Sequence, residues 1–383
     1  MKIRTITTGI SLQSVKDAEK IKQIAEFNKK AKAVFNEAGY EVQTTRIATN
    51  PWEEYAGNLS NIEIVNKIKE IEKICQSLDV GFFNIGYTES EEKLLLIPEI
   101  IKNTAIIYCS GKIGDFKTGI NFKNVKISAK IIKQISEATE NGYGNFRFCA
   151  WSNCQSGIPF FPASYHQGDK TTFAIGLECG DLAMRAFSRS DNLHEAEKNL
   201  KEIFESELKK IADLAQQISD EFNIEYAGID SSLATSLNPD ESIAFAYEKL
   251  GFGKFGNQGT LAISSIITTV LKNLSVKTCG YSGLMLPVCE DSGLAIRANE
   301  ETYNITNLLL YSAVCGCGLD TVPIPGDVSI EKIEAILLDM ASLAIKLNKP
   351  LSARLFPVPN KKAGEMTAFN SPYLVDCKIF RVE

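Results

Sequence analysis

Short apolar stretches and amphipathic stretches alternate along this chain from its first residues, and that alternation limits the fold more than any other feature. IRTITTG reads as a strand, the 3.6-residue periodicity from Ser14 to Ala38 predicts a helix with Gly39 as its stop, and EVQTTRIAT is the next strand. The order continues through a helix over 61–78, the strands VGFFNIGY, AIIYC, FRFCAW and TFAIGL, a long helix over 192–222, and IEYAGID. VKTCGYSGLMLPVCE, LSARLFPV and VDCKIFRV supply the last strand-like runs. Most are apolar on both faces and are separated by helices, which predicts an α/β fold with a buried, helix-covered sheet or barrel of roughly ten strands. No Gly-, Ser- or Pro-rich linker divides the chain, so residues 1–383 are expected to form one domain.

Composition narrows the function classes. With 44% hydrophobic and 23% charged residues the chain can bury a sizeable core, and a net charge of −6 offers no broad field for nucleic acid. The apolar runs fall short of the ~18–20 residues that a membrane helix needs, and no signal-like start is present, so a cytoplasmic protein without membrane contact is expected. The ten cysteines lie mostly inside apolar runs and read as reduced core thiols. Their closest pairs, Cys149/Cys154 and Cys315/Cys317, with only His166 and His194 beside them, do not have the spacing of a structural zinc site.

A nine-residue pattern, Glu-x-x-x-Leu-Ala-Met/Ile-Arg-Ala, occurs twice, from Glu178 and from Glu290. Each copy follows an apolar strand, and each is followed further on by Gly-Ile/Leu-Asp-Ser/Thr, at Gly228 and at Gly318. The ordered pair of motifs predicts two equivalent halves.

The phrases GIPFFPASYHQG, AIGLECGDLAMRA, GNQGTLA, AVCGCGLDTVPIPGD and RLFPVPNKKAGE together resemble an uncharacterised family, a domain of unknown function related to pyruvate formate-lyase. The resemblance spans nearly the whole chain. It implies the ten-stranded α/β barrel of glycyl-radical enzymes and ribonucleotide reductases, with two pseudo-symmetric five-stranded halves around a finger loop. It also implies a departure: the Arg-Val-x-Gly motif of glycyl-radical enzymes meets Arg381-Val382-Glu383 here, so no glycyl radical is expected. Cys315-Gly316-Cys317 stands nearest to the adjacent finger-loop cysteines of formate-lyase.

Candidate site residues follow from chemistry. Glu178, Asp230, Glu290 and Asp320 stand at strand ends, where α/β folds place ligands, and carboxylates held together acquire split pKa values suited to acid/base work or to a divalent cation. Arg185 and Arg297 sit at the same offset in each repeat and would hold substrate charge or neutralise the acids. Cys315 and Cys317 are candidate nucleophiles, and His166 is the better placed of two histidines for proton transfer. Asn257, Gly259 and Thr260, before a helix, and Lys361 with Lys362 beside Gly364, are candidate anion-binding loops, against plain turns and solvated lysines. The leading expectation is a non-radical enzyme acting on a small polar or anionic metabolite by carboxylate acid/base chemistry, with a divalent metal as an optional cofactor. The alternatives are a ligand-binding or regulatory protein without chemistry, and thiol chemistry at Cys315 and Cys317. Assembly into a homo-oligomer is left open.

Overall fold

The computed structural model describes residues 1–14, 17–57, 59–314 and 316–383. Ten strands form one sheet: β1 Lys2–Ile10, β2 Val42–Thr49, β3 Phe83–Thr88, β4 Ile107–Asp115, β5 Gly119–Ile120, β6 Phe148–Ser152, β7 Thr172–Glu178, β8 Glu225–Asp230, β9 Gly318–Pro325 and β10 Leu351–Val358. Their order is β8-β7-β1-β2-β3-β4-β6-β10-β9, with the two-residue β5 folded back on β4. Strands β1, β2, β3, β4 and β6 run parallel to one another. Strands β7 and β8 are parallel to each other, as are β9 and β10, and both pairs meet the first group antiparallel, at β1/β7 and at β6/β10. The fold is therefore α/β with a mostly parallel sheet whose continuous ladder is not closed.

The two-sided burial read from the sequence explains the strands. In β1, Ile3 and Ile6 are buried with Thr5, Thr7 and Thr8 between and beside them. Buried hydroxyls need partners, and these have them: Thr8 donates to Asn28 Oδ1 at 2.6 Å and Thr7 to the Pro159 carbonyl at 2.7 Å. The helix Ala18–Glu37 covers one face through Ile21, Ile24, Ala25, Phe27, Asn28, Ala31 and Phe35, a 3.6-period stripe, and Gly39 follows with φ 89°. The helix Asn61–Ser77 opens on a capping box of Ser60 and Glu63, and Leu193–Phe222 on the side chain of Asn192. The opposite face receives the chain between β6 and β7. There Pro159 meets Thr7, the Pro162 carbonyl accepts from Asn84 Nδ2 at 2.8 Å, and Tyr165 stacks on Trp151. No helix among the described residues is long and apolar enough to cross a membrane.

Two apolar runs do not become strands. The stretch from Thr278 to Pro287 lies between the two ends of the ladder and touches each through single parallel bridges, Ile229 to Thr278, Leu233 to Leu284 and Pro287 to Asp320. Its amides are diverted: those of Tyr281 and Ser282 donate to the Asp230 carboxylate at 2.8 and 2.9 Å instead of to a strand. VDCKIFRV makes only one antiparallel bridge, Lys378 to Met366.

The repeat has a different meaning from the one expected. Both copies lie in the later group of strands and not one in each half. The first runs from β7 through helices Gly180–Phe187 and Leu193–Phe222 to β8; the second runs from the stretch ending near Glu290 through helices Ser292–Asn299 and Ile305–Val314 to β9. The repeated unit is an extended stretch, a short helix, a second helix and a strand, and the extended stretch is a ladder strand, β7, only in the first copy. Gly228 and Gly318, at the head of the second motif in each copy, share positive φ values of 134° and 93°. Glycine is needed there because the backbone turns where an L side chain would strain it.

Candidate functional site

A cavity of about 360 Å³ opens where the amino ends of β1, β2, β4 and β6 meet the carboxyl end of β7 and the residues following β8. Three of the four candidate carboxylates line it, held in a string of alternating charges. Lys2 Nζ lies 3.5 Å from Glu178, Arg4 bridges Glu178 at 2.7 Å and Glu290 at 3.0 Å, and Arg354 bridges Glu290 at 2.5 Å and Asp320 at 2.6 Å. Gln43 Nε2 adds a 2.9 Å bond to Glu178. The string crosses the antiparallel junction between β1 and β7. The neutralising arginines are thus Arg4 and Arg354, and not Arg185 and Arg297.

Asp320 terminates the string and differs from the other two acids. Burial pushes its carboxyl up; Arg354 pulls it down by less, and the charge of Glu290 adds to the rise. Burial also works against the Arg354 charge, but Asp320 and Glu290 outweigh it and raise that pKa. Arg354 further lies over the Phe146 ring at 5.0 Å.

The cavity holds one more cation, Arg46 of β2. It is 8% exposed, its guanidinium lies 4.9 Å from the Phe82 ring centre and 5.3 Å from that of Phe161, and Nε donates to Thr44 Oγ1 at 3.1 Å. No carboxylate among the described residues pairs with it. Burial, then repulsion from Arg4, lowers its pKa to about 10, so it stays charged at neutral pH. The apolar wall continues through Tyr108, Phe160, Tyr281, Met285 and Tyr373.

Thiols gather on the inner side. Cys149 and Cys317 line the cavity, and Cys154 Sγ lies 3.6 Å from the Tyr281 hydroxyl. Burial pushes the Cys149 thiol far up and that of Cys154 to about 12, which keeps both protonated. Cys317 is 4% exposed; Cys315 lies outside the described residues.

The other candidates are elsewhere. Asp230 is fully buried under the stretch from Thr278 to Pro287, bonded to the amides of Ser232, Tyr281 and Ser282 and to Ser232 Oγ at 2.5 Å, a structural arrangement. Arg185 is half-exposed with Glu207 at 3.8 Å, and Arg297 is tied to Glu248 and Glu300 on a helix surface. His166 is buried against Gly9, with Nε2 3.0 Å from the Gly168 carbonyl, and burial lowers its pKa. Asn257, Gly259 and Thr260 form the turn and cap before helix Thr260–Lys272, where Thr260 Oγ1 accepts from the Gly256 amide. Lys361 and Lys362 stand in the turn after β10, outside the cavity, and the Lys362 amide bonds Glu365. Among the described residues no three His, Cys, Asp or Glu side chains come together to hold a metal ion, and the clustered carboxylates are already engaged by guanidinium groups.

Sequence reasoning missed Lys2, Arg4, Arg46 and Arg354. A signal existed for the arginines: IRTITTG, EVQTTRIAT and LSARLFPV each carry a single arginine inside a run buried on both faces, where a charge has to be paired or used.

Comparison with known proteins identifies the family. Proteins named UPF0210 match across 96% of this chain and 88% of their own length. Those of Listeria monocytogenes and Carboxydothermus hydrogenoformans are 26% identical to it, and that of Clostridium perfringens is 27% identical. The family described as Uncharacterised ACR (DUF711) matches residues 1–370. The chain belongs to this DUF711 family of uncharacterised proteins.

Proposed function

We propose that this cavity is the working site of a non-radical enzyme that binds a small anionic metabolite and moves protons on it, with Asp320 as the group that gives and takes the proton. The observation that carries the reading is the state of Asp320. Glu178 and Glu290 are each gripped by two cationic groups, whereas Asp320 has one ion-pair partner, remains about one-fifth exposed at its side chain, and has its carboxyl pushed up by burial. A carboxyl whose pKa is raised holds its proton more readily and is better suited to exchange it with a bound molecule. Tyr108 and Tyr281, whose hydroxyls burial drives up, stay protonated, so they can hydrogen-bond a ligand but do not serve as phenolate bases.

The same proposal takes the sheet as a ten-stranded barrel of the pyruvate formate-lyase type in one domain. Its support is the position of the stretch from Thr278 to Pro287, which bridges β8 on one side and β9 on the other. Counted as a strand, it makes the later group five strands, equal to the first, and joins the free ends of the ladder. The chain between β6 and β7, lying against β1, β3 and β6, then occupies the position of a finger loop.

The second reading, a ligand-binding protein without chemistry, is favoured by the locking of Glu178 and Glu290. Carboxyl-carbon NMR of protein labelled at aspartate, with Asp320→Asn to assign the signal, separates the two. Titration of Asp320 above the ordinary aspartate range is the expected result; titration at or below that range leaves the binding reading in its place.

A further inference from the structure

We propose that Arg46 is the anchor for the ligand's charge, and that the ligand is a monoanionic carboxylic acid with a flat apolar body. The inference rests on the cavity being the working site and goes beyond it by naming the class of molecule. Among the described residues, seven charged side chains line the cavity. Lys2, Arg4 and Arg354 meet Glu178, Glu290 and Asp320 within the string, with Lys2 also 3.6 Å from Glu241 outside the lining, and Arg46 is the one lining cation that no carboxylate among the described residues pairs with. A single negative charge is what that guanidinium lacks.

The shape of the group says which kind. With Nε occupied by Thr44, the bonds open to a ligand are those of the two terminal nitrogens, a planar fork that matches the two oxygens of a carboxylate. Phe82 and Phe161 lie against the same guanidinium, and Tyr108 packs on both rings at 5.6 and 5.2 Å. A carboxylate seated on the fork therefore has its body beside an aromatic wall, where burial of apolar surface contributes and hydrated polar groups do not. A phosphate dianion would bring a second negative charge next to Glu290 and Asp320 with no cation left to meet it. An uncompensated buried charge is costly, and burial already pulls Arg46 down, so an anion relieves a cost that the empty cavity carries.

The test uses the full chain and four probes: benzoate, cinnamate, benzamide and inorganic phosphate, each followed by calorimetry and by thermal melts. Both acids are expected to bind at least about tenfold more tightly than benzamide or phosphate. Arg46→Met should weaken both acids by about a hundredfold, leave benzamide within about twofold, and melt no lower than the parent, since it removes an unpaired buried charge. Arg46→Lys, which keeps the charge and loses the fork, should recover part of the affinity. Equal binding of benzoate and benzamide, tighter binding of phosphate, undiminished acid binding in Arg46→Met, or no binding of either acid to the parent would each overturn the inference. The Asp320 titration is independent of all four results. Acid binding through Arg46 with an ordinary Asp320 removes the proton-transfer reading alone; a raised Asp320 without acid binding removes this inference alone.

Discussion

Arg354 Nε stands 2.6 Å from Asp320 Oδ1 across the parallel pair β9 and β10, and this contact fixes one end of the charge string. The other end of the same guanidinium holds Glu290, which Arg4 also holds. Glu290→Gln takes from Arg4 and from Arg354 one of the two carboxylates that each holds, while Glu178 and Asp320 remain. Urea melts should show a loss of about 1–3 kcal/mol, less than for a buried charge left with no partner. A variant as stable as the parent would mean that Arg4 and Arg354 find water or other partners.

A pH dependence follows from Asp291, the fully buried N-cap of helix Ser292–Asn299. Burial pushes its carboxyl from 3.8 to about 6, against bonds from Ser242 Oγ at 2.6 Å and the amides of Ile243 and Leu294 at 2.8 Å. The folded state takes up this proton more readily than the unfolded chain, so the contribution is largest below the unfolded pKa. It is lost as pH rises from 3.8 to about 6, amounting to about 3 kcal/mol. Urea melts at several pH values should show a shallower slope in this window for Asp291→Asn. Some slope remains, because Asp230 and Asp320 are shifted in the same direction.

Alkylation tests the thiols. Burial raises Cys75, Cys109, Cys149, Cys154, Cys179, Cys279 and Cys289, and the thiolate is the reactive form. Iodoacetamide mapping on the folded protein should find all seven labelled slowly, together with Cys317. Rapid labelling of Cys317 would restore it as a nucleophile.

The two repeats differ in how tightly their helices are set. A Cβ on Gly180 would collide with the backbone carbonyl of Glu241, whereas one on Gly293 would collide with the Ser242 hydroxyl, which can yield at the cost of its bond to Asp291. Gly180→Ala should therefore destabilise by about 1–3 kcal/mol and by more than Gly293→Ala, as read from thermal melts. The reverse order would contradict the packing around the segment 241–243.

Much of the fold is legible in the sequence because its strands are buried on both faces and its helices carry one apolar stripe. Gly39 follows the first helix as expected, and the helices expected over 61–78 and 192–222 are found at Asn61–Ser77 and Leu193–Phe222. The stretch from Thr278 to Pro287 looks equally strand-like, and what undoes it is distant in sequence: Asp230 captures its amides. The acids at strand ends pointed to Glu178, Glu290 and Asp320, and the same rule took in Asp230, since nothing local separates a carboxylate facing a cavity from one bonded to backbone. The arginines were sought inside the repeat, at Arg185 and Arg297, although the side chains that meet the acids come from other strands. Pairing across the β1/β7 and β9/β10 contacts is a property of the assembled sheet.

The antiparallel seam between β1 and β7 sets the amino end of one strand against the carboxyl end of the other, and with them Lys2 and Arg4 against Glu178. Charges that interleave at such distances largely cancel a few ångströms away, so most of the wall is electrically quiet. Arg46 on β2 is outside those pairs, and its charge is the one left to act on an anion at the entrance. The direction in which two groups of strands were joined thus silences six charges and leaves the seventh to be felt.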